Sequence, residues 1–267
     1  MKSLRLILML VFCSFFSLNQ AMAETFPYRP KYPTVQFIST EDLASKYEAG
    51  EIVLVDVRAK IEYDVIHLEG AVHINLAKIT FVQEFGEFAK KHPGKAFAFY
   101  CNGTTCLKSY EAAERVTEAG YKNCFAYDGG APEWANRYPK KTLLLGKPIS
   151  DPKKQLIPTS EFEKRCITFE EFKEKAGDAK ALIIDVRDSI QDIGKLPGLS
   201  GVRQIPVDKF IPNFVQKKMD LDKTLLIFDI VGKQVEWIQY YFVEYGYQKY
   251  FFLKGGATSV LKDQKYK

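Results

Sequence analysis

Apolar and polar positions along this chain follow two rhythms. Short apolar runs of five or six residues, Ile52 to Val57, Ala96 to Cys101 and Asn123 to Tyr127, have the length of buried strands. Segments of helical spacing lie among them: Glu41 to Glu48, and roughly Leu107 to Ala119. The first opens on Ser39 or Thr40 with acids in its first turn, a helix-start signal. Strand–helix alternation of this kind predicts an α/β fold, a mainly parallel sheet flanked by helices.

The pattern is written twice. Val53-Leu54-Val55-Asp56-Val57-Arg58 recurs 129 residues on as Leu182-Ile183-Ile184-Asp185-Val186-Arg187, and Ile38–Leu43 matches Ile167–Phe172 at the same offset. Gly120-Tyr121 and Gly129-Gly130 recur as Gly246-Tyr247 and Gly255-Gly256, now 126 residues on. A kept order with small changes of offset is what a duplicated domain with altered loops produces. The copies are read as residues 24–138 and 162–267. The stretch 139–161, with Pro139, Pro148, Pro152, Pro158 and many lysines, reads as a linker.

The first 23 residues read as a signal peptide rather than as fold. Lys2 and Arg5 precede an almost wholly apolar Leu6–Leu18, and Ala21-Met22-Ala23 suits a signal peptidase. The apolar run is short for a membrane span, so cleavage is expected, with no stable membrane insertion and an exported, periplasmic location. Removing the leader lowers the net charge from +5 to +3 through loss of those two cations. Lysines are interleaved with acids, so nucleic acid is not an expected partner. His67, His73 and His92 are too scattered to suggest a metal site, and no cofactor is implied.

Four cysteines remain beyond the leader: Cys101, Cys106, Cys124 and Cys166. Cys124 and Cys166 fall in strand-like runs and read as core. Cys101 ends an apolar strand and is followed by Asn102-Gly103-Thr104-Thr105-Cys106-Leu107-Lys108-Ser109 and then a helix. That order brings a thiol to a turn of N–H groups and a helix N-terminus, which favour the nucleophilic thiolate. An arginine six residues after the cysteine would suit phosphate chemistry; the residue there is Leu107, which argues against a phosphatase.

Together these residues resemble the rhodanese family of sulfurtransferases. The carriers are Asp56-Val57-Arg58, Glu62-Tyr63, His67-Leu68-Glu69-Gly70-Ala71, Ile74-Asn75, Tyr100-Cys101, Ser109, Gly120-Tyr121, Asp128-Gly129-Gly130 and Trp134. The resemblance implies two tandem rhodanese-like domains. The second copy keeps Asp185-Val186-Arg187, Gly246-Tyr247 and Gly255-Gly256 but has Asp229 where the first has Cys101, and a carboxylate cannot carry a sulfane sulfur. The first copy's loop departs too: Lys108-Ser109 arrives two residues later than the family's basic residue and serine.

The resemblance implies that Cys101 takes sulfur from thiosulfate or another small anionic donor, holds it as a persulfide, and passes it to a thiol or cyanide-like acceptor, including a protein thiol. The N–H groups of Asn102, Gly103, Thr104, Thr105, Cys106 and Leu107 would cradle the persulfide. Thr104 and Thr105 either hydrogen-bond the donor or shape the turn, and Lys108 either attracts the donor or is a solvated helix-start lysine. Arg58 either faces the donor or pairs with Asp56; survival of Asp185 and Arg187 in the copy without the cysteine favours pairing. His67 is expected to pack locally. Cys106 is close enough in sequence to act as a resolving thiol. Two other functions stay open: a thiol–disulfide redox protein using Cys101 and Cys106, and a non-catalytic binding module.

Overall fold

A computed structural model describes residues 26–261, so the leader read at 1–23 lies outside the described residues. The chain divides into two compact units, one ending at Pro152 and the other starting at Lys153. The first unit contains strands β1 (Gln36–Phe37), β2 (Ile52–Asp56), β3 (Ile66–Leu68), β4 (Val72–His73), β5 (Ala96–Tyr100), β6 (Cys124–Tyr127), β7 (Thr142–Leu144) and β8 (Lys147–Pro148). Its main helices are α1 (Thr40–Glu48), α2 (Lys60–Val65), α3 (Phe81–Ala89), α4 (Lys108–Glu118) and α5 (Gly130–Arg137). Five strands form one parallel sheet in the order β1-β6-β5-β2-β4.

Local chemistry explains the elements. Ser39 caps α1 by accepting the Asp42 N–H at 3.1 Å, with Glu41 and Asp42 in the first turn. Strand β5 alternates faces: Phe97, Phe99 and Cys101 join one core layer with Phe81, Phe85 and Tyr110, while Ala98 and Tyr100 join another with Leu43, Leu54 and Trp134. Both faces are buried, as a central parallel strand requires. Each fully buried phenylalanine contributes about 1.5–3 kcal/mol by leaving water.

The second unit contains β9 (Cys166–Ile167), β10 (Ala181–Asp185), β11 (Arg203–Gln204), β12 (Thr224–Phe228) and β13 (Tyr250–Leu253), with helices α6 (Phe169–Ala176) and α7 (Gln234–Tyr245). Its parallel sheet runs β9-β13-β12-β10-β11, the order of the first sheet strand for strand. Helix α7, aromatic on several sides, buries Val235, Ile238, Tyr241 and Phe242.

The linker expected at 139–161 is not one. Strand β7 pairs antiparallel with β3, matching Leu68 to Thr142 and Ile66 to Leu144, and β8 adds to β7. Thr142 and Ile149 are buried, and the Trp134 indole donates to the Lys141 carbonyl at 3.2 Å. Pro139 opens a 3-10 turn and Pro148 lies in a two-residue edge strand, places where a missing N–H costs little. Farther on, Phe162 packs its ring on Phe252, and the Ile157 N–H donates to the Tyr240 oxygen, so that part belongs to the second unit.

Gly130, at φ +63°, has no room for a side chain: an added Cβ would lie 2.4 Å from the Gly103 nitrogen and 2.5 Å from the Cys101 oxygen. Gly94 has a similar φ of +76° and open space around it. Gly130→Ala is expected to destabilise the fold by at least about 2 kcal/mol, and Gly94→Ala by about 1 kcal/mol. Urea unfolding of the two variants checks the difference.

Candidate active site

Strand β5 is central and ends at Tyr100, so Cys101 sits at the carboxyl edge of the parallel sheet, where ligands bind in such folds. The loop turns tightly, with the Cys106 N–H donating to the Gly103 carbonyl at 2.9 Å. Helix α4 then starts at Lys108 with no side chain capping it. Its first N–H groups, those of Lys108 and Ser109, turn to the two cysteines of the loop. On the other side the Ala131 N–H holds the Cys101 carbonyl at 2.9 Å, which ties the Gly129-Gly130 turn to the loop.

Asp56 and Arg58 are fully buried and paired. Arg58 Nε donates to both Asp56 oxygens, at 3.0 and 3.2 Å, and Nη2 to Asp56 Oδ2 at 2.7 Å and to the Ile66 carbonyl. Nη1 reaches Asn102 Oδ1 at 3.0 Å. Burial opposes the guanidinium charge, but the Asp56 carboxylate outweighs it and holds the group above its usual range. Arg58 thus braces the loop from beneath, paired with Asp56.

The two cysteines of the loop face each other. Cys101 Sγ, with no exposed surface, lies 3.6 Å from both the Cys106 carbonyl oxygen and Ser109 Oγ. Both thiols are free. Burial, then the neighbouring Cys106 thiol, push the Cys101 thiol well above its ordinary value. Cys106 is pulled down to about 6: by the neighbouring Cys101 thiol first, against an opposing desolvation, and then by the backbone N–H groups of Asn102 and Lys108 and the Lys108 charge. Burial thus works against a thiolate on Cys101, while the N–H groups and Lys108 favour one on Cys106, the half-exposed partner at the helix start. The cradle is also redrawn. The Cys106 N–H is spent on Gly103, while the backbone N–H reaching Cys101 is that of Ser109.

The second unit presents the same loop with a different anion. Asp229, at the Cys101 position, is 1% exposed. Its carboxylate accepts from the N–H groups of Gly232, Gln234 and Val235, the last at 3.2 Å. The Ala257 N–H holds the Asp229 carbonyl at 2.8 Å, as Ala131 holds that of Cys101.

Among the other expected residues, Thr105 is exposed, Thr104 and Leu107 are half-buried, and Lys108 pairs with Glu62 at 3.7 Å. His67 stacks on Tyr63 and hydrogen-bonds the Tyr63 carbonyl at 2.7 Å; burial lowers its pKa, and it stays outside the loop. Burial raises Cys124 to about 12 and Cys166 to about 11. Two residues were not anticipated at the site. Ser109 points at Cys101, and Glu62 is a buried carboxylate that accepts from Asn102 Nδ2 and the Ala59 N–H and pairs with Lys108. A buried small polar residue at a helix start was the signal for Ser109; the Glu62 contact spans 40 residues of chain and had no local signal. Among the described residues no group of three or more His, Cys, Asp or Glu is placed to hold a metal, and no helix is long and apolar enough to cross a membrane.

Alkylation distinguishes the two thiols. Iodoacetamide should label Cys106 first, with a rate that rises with pH through a midpoint near 6, since the thiolate is the reactive form and dominates above its pKa. Cys101 should lag at neutral pH. Replacing Cys101 by serine weakens the largest force holding Cys106 down, so the Cys106 midpoint should move toward the ordinary thiol range. Peptide mapping by mass spectrometry reads both.

Comparison with known proteins places this geometry. Residues 39–137 match the rhodanese-like domain family. An HTH-type transcriptional regulator of Mycobacterium tuberculosis is 31% identical over 114 residues, covering 43% of this chain and 44% of the regulator. The chain thus spans less than half the length of that relative. The thiosulfate sulfurtransferase GlpE of Coxiella burnetii is 29% identical over 108 residues, 40% of this chain and 92% of that enzyme. A crystal structure of a thiosulfate sulfurtransferase from Pseudomonas aeruginosa aligns at 18% identity and a TM-score of 0.40, covering 86% of this chain and 43% of that one. The match to the rhodanese-like domain family covers the stretch that holds Cys101 and its loop.

Proposed function

We propose that the first unit is a sulfurtransferase that carries sulfane sulfur as a persulfide on Cys101. The observation behind this reading is the placement of Cys101 at the carboxyl end of the central strand, between Ser109 and a second thiol, in a domain that matches the rhodanese-like family. Cys106 supplies the base. As Cys101 attacks the outer sulfur of thiosulfate, its proton passes to the Cys106 thiolate. The sulfur–sulfur bond of the donor breaks and sulfite leaves with the bonding pair. A cyanide or thiolate acceptor then attacks the outer sulfur of the persulfide, and Cys101 departs as a thiolate that recovers the proton from Cys106. A small anionic donor suits this loop, because the N–H groups and the Lys108 charge beside Cys106 favour negative charge.

The contact between the two thiols supports a second reading, thiol–disulfide exchange. With Cys101 as thiol and Cys106 as thiolate, forming their disulfide passes two electrons and one proton to the disulfide of a partner protein, which leaves as a thiol and a thiolate, chemistry suited to the exported location proposed from the leader.

Mass spectrometry after thiosulfate treatment separates the readings. A gain of one sulfur on the Cys101 peptide is expected; loss of two hydrogens across the pair would favour exchange instead. In thiosulfate:cyanide transfer, Cys101→Ser should be inactive. Cys106→Ser should lower kcat by about a hundredfold at pH 7, since it removes the base. Undiminished transfer in Cys106→Ser would remove Cys106 from the mechanism while leaving Cys101 in place.

A further inference from the structure

The two units differ at one nitrogen of their buried arginine. In the first, Arg58 Nη1 ends on the side-chain oxygen of Asn102, the residue after Cys101. In the second, Arg187 repeats the pairing, Nε to Asp185 Oδ1 at 2.8 Å and Nη2 to Asp185 Oδ2 at 2.7 Å, and Nη2 also meets the Gly194 carbonyl at 3.1 Å. The residue after Asp229 is Ile230, which has no side-chain acceptor. Arg187 is 2% exposed, and its Nη1 is buried with no hydrogen-bond partner. A buried donor left unmade costs about 1–3 kcal/mol, more when charged.

Beside that arginine the fold opens a cavity of about 280 Å³. Arg187 and Asp185 line its polar side, Leu196, Val202 and Phe228 its apolar side, and Lys195 adds an exposed cation. Asp192 also lines it, 3.7 Å from Nη2 on the other branch of the guanidinium. The cavity lies at the carboxyl edge of the parallel sheet, at the ends of β10 and β12. Its volume is at the small end for ligand sites.

From these features we infer that the second unit binds a small organic carboxylate in this cavity. The carboxylate accepts from Arg187 Nη1, Lys195 adds attraction, and a short apolar tail lies against Leu196, Val202 and Phe228. The ligand's oxygen takes the place that Asn102 Oδ1 holds in the first unit. The unit without the sulfur-carrying cysteine is therefore a receptor for a small acid, independent of chemistry at Cys101.

Calorimetric titration of the full chain with sodium butyrate, against n-butanol as the uncharged control, tests the assignment. Butyrate should saturate at one site per chain, with transferred NMR contacts from its methyl group to the Phe228 ring, and butanol should bind at least about tenfold more weakly. Ile230→Asn, which rebuilds the acceptor of the first unit, should weaken butyrate by a similar factor. Lys195→Gln, an exposed change with no folding role, should weaken it severalfold. Butyrate binding no better than butanol, or undiminished in Lys195→Gln and in folded Ile230→Asn, would overturn the assignment.

Discussion

One buried ion pair organises each unit. Asp56 and Arg58, like Asp185 and Arg187, lie at the end of the strand next to the central one, inside the protein. A buried guanidinium is stabilised by each donor that is satisfied, and losing one partner of such a pair typically costs about 3–5 kcal/mol. Satisfying Arg58 recruits the Ile66 carbonyl and Asn102, which fastens two loops to the sheet edge. The shape of the cysteine loop is thus partly a consequence of solvating an arginine. Where the second unit lacks that acceptor, the same demand leaves a nitrogen open and a cavity beside it.

The loop after the central strand imposes a second demand. Backbone N–H groups and an uncapped helix start converge there, and they favour negative charge. Each unit meets this demand with a group of its own. The second uses the Asp229 carboxylate permanently. In the first, these groups favour the thiolate form of Cys106, which can also be protonated. Helix α4 gains in both roles, since its buried face of Tyr110, Ala112, Ala113 and Val116 fixes the helix while its start stays polar.

Much of this was legible along the chain. The strands at 52–57, 96–101 and 123–127 and the helix after Leu107 were read within a residue or two, because short apolar runs and a 3.6-residue rhythm are local signals. The Asp–Arg pairing was legible because the repeat kept it in a copy without the cysteine. The 139–161 stretch was misread because proline and lysine look like linker, whereas its strand exists only through pairing with Ile66–Leu68, more than seventy residues upstream.

Sequence alone determined the fold class and the matched positions of the recurring motifs, since each rests on periodicity or on residues compared at a fixed offset. It could not determine how the two thiols of the loop differ in exposure. Cys101 faces the Phe97–Phe99 core layer and is sealed, while Cys106 stays half-exposed among the N–H groups of Asn102 and Lys108. The tertiary structure also decided that Arg58 is enclosed and that Arg187 keeps a free donor. Both outcomes turn on whether the side chain after the strand end, Asn102 or Ile230, offers an oxygen at the place where the arginine's fork arrives.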